Sequence, residues 1–291
     1  MRRISGVPAA LRRVRQTLRK IDRLDLAADF RADLKKSYLR TFVLKRYDKE
    51  QKIADIAGFR VKFQVYDHLY LLFREIFTDR SYAFASHTDT PFIVDCGSNI
   101  GLSVLYFKRR FPKAEIIAFE PNDESFRCLQ HNVEENGLQG VTIHNKALLD
   151  HPGDVSLYRD PDDPTSGCSS LLRDRMPGDE QPAQAVRLSE YIDRPVDFLK
   201  MDIEGVETEV IRELSAAGKL ETVRQMIMEY HHHVKADRDD LAEMLSYLQK
   251  AGLGYQIGSG LKRPSIPYIF QDVTLYAYQK SLIPPPAGDS V

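Results

Sequence analysis

The chain has 291 residues, 43% of them hydrophobic, and a formal net charge of −1. That length suits one α/β domain with an added segment, and that charge sets up no global field to attract nucleic acid. Three cysteines, Cys96, Cys128 and Cys168, make no disulfide framework, and a cytoplasmic setting is expected. No apolar run is long enough to span a membrane, and Met1-Arg2-Arg3 leads into no signal-peptide core. The charge is uneven: residues 1–50 hold 15 Lys and Arg against 6 Asp and Glu, or +9, which leaves −10 for the rest.

Residues 8–26 read as a basic helix. Leu11, Val14, Leu18 and Ile21 share one face, with Arg12, Arg13, Arg15, Arg19 and Lys20 around it. Such a helix is expected to pack on the body or on a second subunit of a homodimer. The sharper alternative is peripheral contact with anionic lipid or a phosphorylated glycan. A second helix is expected over 29–47. Residues 58–65 alternate as a strand, and Tyr66 to Phe77 is helical in pattern.

Phe92-Ile93-Val94 is an apolar run ending at Asp95, followed by Gly97, Gly101 and an amphipathic stretch. A second apolar run, Ile116 to Phe119, ends at Glu120. The pattern is strand, glycine turn, helix, strand, acid: the first half of a doubly wound, nucleotide-binding α/β sheet. Gly97 allows a sharp turn where a side chain would block a ligand. Gly101 is expected to bring the helix start close to the strand, with free N–H groups facing the crevice. Glu120 is placed to accept both hydroxyls of a ribose. The string from Asp95 through Ser98 and Asn99 is D-x-G-x-x-x-G, not the G-x-G-x-x-G of dinucleotide sites. S-adenosylmethionine has no pyrophosphate but carries an ammonium that a carboxylate such as Asp95 welcomes. The string therefore favours that cofactor over NAD.

Pro121 stops the strand, and Asn122 or Asp123 caps a helix running to about Asn136, ended by Gly137. Residues 141–144 form the third strand, and residues 154–158 a short extra one. Residues 159–183 are rich in Asp, Pro, Gly and Ser and read as a long loop. Residues 196–201 are the central fourth strand, beside the first, ending in Asp202-Ile203-Glu204-Gly205. Carboxylates there reach the methyl end of the cofactor, so Asp202 and Glu204 are catalytic candidates, with helix N-capping as the alternative for Glu204. The fifth strand, Gln225 to Met228, ends in Glu229-Tyr230 and three histidines. A neutral His231 is a candidate base for an acceptor hydroxyl, with Glu229 positioning the substrate. A divalent metal at Asp202, Glu229 and a histidine is the lesser alternative, and two of the histidines are expected to be solvated. Residues 238–251 form a helix, and 253–258 with 272–279 a final antiparallel pair.

The stretches VDCGSNIGLSVLYF, IIAFEPNDESFRCLQHNVEENGL, HNKALLD and VDFLKMDIEGVETEVIREL resemble the FkbM-type family of class I S-adenosylmethionine-dependent methyltransferases. The D-x-E-G-x-E of the last is the most family-specific. The resemblance implies a mostly parallel, seven-stranded Rossmann-like sheet. It puts the adenine near Asn145-Lys146-Ala147, and makes Glu75 and Tyr82 candidates for a segment folded over the cofactor. Ser169 and Ser170 resemble a serine-rich patch of the family, so the 159–183 loop is expected to be a mobile lid over the acceptor.

The expected division is a basic helical extension over 1–57, a methyltransferase domain over 58–280 and a disordered tail over 281–291. Gly97, Ser98, Asn99, Gly101, Glu120, Pro121, Asn122, Asn145, Ala147, Asp95 and Asp202 are expected to hold the cofactor. The resemblance implies O-methylation of a sugar, glycan or secondary-metabolite hydroxyl. A nucleic-acid or protein methyltransferase, an NAD-dependent oxidoreductase and a non-catalytic cofactor-binding module are the alternatives.

Overall fold

The computed structural model describes residues 9–44, 52–160, 169–234, 240–259 and 271–282. Cys168 and the tail from 283 lie outside them. Helix α1 (Ala9–Asp22) leads into α2 (Ala28–Ser37), which widens into a π-helical turn over Tyr38–Leu44. A hairpin of β1 (Ile53–Ile56) and β2 (Phe59–Lys62) follows, then α3 (Tyr66–Phe73) with its own π-helical turn over Arg74–Asp79. The nucleotide-binding half comprises β3 (Phe92–Cys96), α4 (Leu102–Arg110), β4 (Glu115–Phe119), α5 (Asp123–Glu135) and β5 (Val141–His144). Next come β6 (Ala147–Leu148), β7 (Gly153–Arg159) and β8 (Asp179–Val186), then β9 (Phe198–Met201) and α6 (Glu207–Ala216). The chain closes with β10 (Gln225–His232), α7 (Leu241–Lys250), β11 (Leu253–Gly258) and β12 (Gln271–Gln279).

Seven strands form one sheet in the order β11-β12-β10-β9-β3-β4-β5. Strands β3, β4, β5, β9 and β10 run parallel, and β12 pairs antiparallel with β10 and β11. The order reverses between β3 and β9, so their tips border the ligand crevice of an α/β sheet. The central strands are covered on both faces, which is why they read as unbroken apolar runs. Phe92, Val94, Leu199 and Met201 pack with α6 and α7, while Ile93 and Phe198 pack with α4 and the N-terminal helices.

The N-terminal segment shares that second core. Rings of Phe42, Phe73, Phe77 and Tyr106 follow one another at 4.9, 5.7 and 5.6 Å between centroids. Each such pair adds roughly 0.5–1.5 kcal/mol beyond burial. The division expected between residues 57 and 58 falls inside the tight turn of the β1–β2 hairpin, with Ala57 and Gly58 both at positive φ. The outer edge of β2 is covered by two asparagines one turn apart on and just after α5. Asn132 accepts from the Lys62 N–H and donates to its carbonyl, and Asn136 does the same for Arg60. Two amide side chains thus act as one strand of a ladder.

Three expectations change. Within α1, Ile21 is buried and Val14 and Leu18 pack on the core, but Leu11 is 58% exposed. The end of the expected 159–183 loop, from Asp179 on, belongs to β8, which sandwiches between β6 and β7 in a separate three-stranded sheet. The fifth strand extends beyond Met228 to His232, because β12 pairs with it as far as His231↔Asp272 and His232↔Gln271. His232 is consequently buried and not solvated.

Candidate active site

A cavity of about 800 Å³, its open mouth included, lies over the tips of β3, β4 and β9. Its first end is the glycine turn. Gly97 has φ +82°, and a Cβ there would lie 1.9 Å from the Asp202 carbonyl oxygen. Glycine is thus required by the approach of the β9 tip as well as by the turn. Gly101 serves a different neighbour from the one expected: its missing Cβ makes room for Leu129 of α5, 2.6 Å away.

Four of the turn's amides are engaged within the protein. Gly97 and Ser98 N–H donate to the Phe119 carbonyl at 3.0 and 2.9 Å, and Gly101 N–H to Ser98. The Asn99 N–H donates to Glu120 Oε2 at 2.7 Å, and the Asn122 N–H to Oε1 at 2.9 Å. Glu120 is therefore fixed with one lone pair of each oxygen engaged. Burial pushes its pKa up to about 7, against the pull of those two N–H groups. Phe119, Pro121, Ala147 and Leu148 supply apolar wall nearby.

Several expected cofactor contacts hold the cradle from behind. Asp95 is fully buried, accepts from Ser103 Oγ at 2.5 Å and lies 3.7 Å from Lys200 Nζ. It does not reach the cavity wall. Asn122 caps α5 by accepting from the Glu124 and Ser125 N–H groups at 3.0 and 3.2 Å. The Asn145 amide donates to the Glu120 and Pro121 carbonyls, so it joins the β4 and β5 tips.

The second end is made of charge. Strand alternation turns Asp95, Lys200, Glu229 and His231 toward the N-terminal layer, in phase with Ile93, Phe198 and Ile227. Lys200, overlooked within an apolar run, lines the cavity. Its Nζ donates to the Gly97 carbonyl, lies 3.5 Å from Asp202 and stands 5.4 Å from the Tyr82 ring centroid. Burial alone would discharge it, but Asp202 and Asp95 reverse that and hold its pKa up. Tyr82 also lines the cavity, and its hydroxyl donates to Glu75 at 2.9 Å. Burial, reinforced by Asp202, raises the Glu75 carboxyl.

Asp202 is the open carboxylate of this end, with 26% of its side chain exposed against 2% for His231. His231 sits behind it. Its Nδ1 lies 2.8 Å from Glu207, and its Nε2 lies 3.2 Å from Glu204 and 4.0 Å from Asp202. Burial opposes its charge, but Glu207, Glu204 and Asp202 push its pKa up to about 10. His231, expected as a neutral base, is thus set among three carboxylates that favour its charged form. Glu207, the last acid of D-x-E-G-x-E, also accepts the Gly205 N–H at 3.0 Å. Glu204 sits at φ +59° and pairs with Arg175 at 2.6 Å. Burial raises its pKa, against His231 and Arg175. Ser170 Oγ donates to the Glu204 carbonyl at 2.6 Å, and Ser169 and Leu171 line the cavity, so the described part of the expected lid is tied to the site. Glu229 lies off the cavity wall; burial, then Asp202, lifts its pKa to about 7. Two sets of side chains, Asp202-Glu204-His231 and Glu229-His231-Asp272, have ligand atoms close enough for one cation. Both depend on His231, whose two ring nitrogens already face carboxylates.

Residues 95–257 match the methyltransferase FkbM domain. The chain is 33% identical over 164 residues to Methyltransferase 1 of Beauveria bassiana, covering 48% of this chain and 65% of that protein, just under two thirds of its length. It is 32% identical over 192 residues to Methyltransferase sdnD of Sordaria araneosa, covering 54% and 73%. To the 31-O-demethyl-FK506 methyltransferase FkbM of Streptomyces tacrolimicus it is 27% identical over 193 residues, covering 55% and 74%. The matched domain begins at Asp95 and so leaves out Leu72, Ile76 and Tyr82 of the cavity wall.

Proposed function

This chain belongs to the FkbM methyltransferase family, and from that premise we propose that it transfers the methyl group of S-adenosylmethionine to a hydroxyl oxygen of a sugar, glycan or secondary metabolite. The name of the Streptomyces relative, a 31-O-demethyl-FK506 methyltransferase, supports oxygen as the receiving atom. The observation that carries the reading is one cavity with a fixed, buried Glu120 at one end and an open Asp202 at the other.

The residues present fit the cofactor. Glu120 retains acceptor capacity on both oxygens for a diol, and Pro121, Ala147 and Leu148 offer apolar surface for a base. The open carboxylate of Asp202 suits a cationic amino-acid end. When bound, the sulfonium supplies an electrophilic methyl group. Gly97, Ser98 and Asn99 form with Glu120 a wall that does not need to rearrange, since their backbone N–H groups are already engaged internally. Holding an acceptor oxygen in line with the methyl group is worth roughly 7–11 kcal/mol.

Asp202 takes the acceptor proton in this reading. It alone among the expected catalytic carboxylates combines a place on the wall with substantial exposure. Such a base contributes about 10²–10⁴-fold. Lys200 and His231 flank Asp202 at 3.5 and 4.0 Å and orient it, and neither has a free basic nitrogen to compete with it. Tyr82 and Glu75 border the same end from outside the matched domain and shape the acceptor space. Incubation of the protein with isotope-labelled S-adenosylmethionine and a metabolite extract, followed by mass spectrometry, tests the reading. Label on a hydroxyl oxygen supports it. Label on nitrogen or carbon refutes oxygen transfer, and stabilisation by NAD but not by S-adenosylmethionine refutes the whole assignment.

A further inference from the structure

Helix α1 keeps one face for the body and exposes another, which meets no partner among the described residues. Ile21 is buried, Val14 and Leu18 pack on the core, and Lys20 pairs with Asp79. Arg12, Arg15 and Arg19 are spaced i, i+3 and i+7, which places them in one stripe along the helix, and all three are exposed. Arg13 is exposed as well, on the far flank. Among the described residues none of these four arginines forms an ion pair. No acid occurs before Asp22, whereas Arg2 and Arg3 add to the same end of the chain. Leu11, 58% exposed, lies beside the stripe at the start of the helix.

We propose that this face of α1 seats the protein on an anionic phospholipid surface. Guanidinium groups in a row pair with phosphate headgroups, and each basic side chain near such a surface strengthens attachment about fivefold. The exposed leucine distinguishes the occupant. A nucleic-acid backbone offers it nothing, whereas the acyl boundary of a bilayer removes it from water. Among the described residues no helix is long and apolar enough to cross a membrane, so the contact is peripheral. Its position matters: α1 rests on the π-helical turn over 74–79, and Ile76 of that turn lines the cavity. One element separates the docking face from the site.

The test is co-sedimentation of the full chain with vesicles of phosphatidylcholine alone and of equal parts phosphatidylcholine and phosphatidylglycerol. Binding is expected to the mixed vesicles only, and to weaken as salt is raised. The triple variant Arg12→Glu, Arg15→Glu, Arg19→Glu should lose at least about a hundredfold in apparent affinity. Leu11→Asp should lose about tenfold, since one leucine no longer enters the interface. Circular-dichroism melting shows that both variants fold, as none of these side chains belongs to the core. Equal binding to both vesicle types, or to neither, overturns the proposal. So does retention of vesicle binding by the triple variant. If the arginines are needed for RNA retention or for a dimer seen by sedimentation while vesicles are ignored, the face belongs to that partner instead.

Discussion

The two ends of the cavity are built by different means. At the Glu120 end, backbone geometry does the shaping: a glycine admits the neighbouring strand tip, and N–H groups fix a carboxylate. At the Asp202 end, charged side chains from five separate segments balance one another, among them Glu75, Lys200, Glu204, Glu207 and His231. The first end is fixed by atom positions, and the second by a balance of charge. Backbone-built surface suits a ligand common to a whole family. A charge-built surface can be retuned by single substitutions and suits the part that varies, the acceptor.

The largest effect that sharpens this contrast is expected from Gly97→Ala. The new methyl would collide with the Asp202 carbonyl at 1.9 Å, and the positive φ adds strain. Calorimetry should find no measurable cofactor binding, with a lowered melting temperature. Near-normal affinity would mean that the two strand tips can part freely.

Next comes His231→Ala, which leaves Glu207 buried without its cation and Glu204 with Arg175 alone. Urea unfolding should show a loss of about 3–5 kcal/mol, the range for a broken buried ion pair. The pH dependence has a definite sign. The folded pKa of His231 is raised to about 10, so its contribution is complete below the ordinary imidazole value and fades as pH climbs toward 10. Glu207 is lowered by His231 despite its burial, so its contribution fades only as pH falls below the ordinary glutamate range. The stability gap between wild type and variant should therefore shrink steadily above neutrality. A gap that grows with pH would show a neutral imidazole.

Asp202→Asn should lower turnover by about 10²-fold or more while the fold holds, because the amide cannot take a proton. Unchanged turnover would move the base elsewhere, with Glu229 next in line. The smallest effect is expected from Glu120→Ala, which should weaken cofactor binding on the order of 1.5–3 kcal/mol by removing a charged acceptor. Titration showing unchanged affinity would remove Glu120 from the ribose.

Legibility in the sequence follows the same divide. Asp95 to Asn122 is a contiguous stretch whose glycines, acid and cap are ordered by local rules, and the structure places Gly97 and Glu120 together on one wall. Even there the reasons differed, since Gly101 answers to Leu129, a contact between two helices. The other end draws on residues over 150 positions apart, such as Glu75 and Glu229, which no periodicity connects. A signal was nonetheless present in Phe198-Leu199-Lys200-Met201. A lysine inside a buried strand needs an acid beside it, and its register partner is Asp95. Glu207 stood in the quoted D-x-E-G-x-E but reads as an ordinary first-turn acid until His231 is placed against it. The burial of His232 depended on β12, a partner beyond the local pattern.

The asparagine ladder on α5 bears on the order in which a nascent chain matures. Strand β2 is synthesised about 70 residues before the side chains that complete its edge, with Lys62 waiting for Asn132 and Arg60 for Asn136. The ribosome must have released the whole of α5 before that edge closes, and Tyr106 before the aromatic row of the first layer is finished. Contacts over such separations carry a loop-closure cost that delays them. An earlier-made part of this chain is thus completed late. Until then its open strand edge and unburied phenylalanines are the natural substrate for a chaperone, and premature release would be felt there before anywhere else.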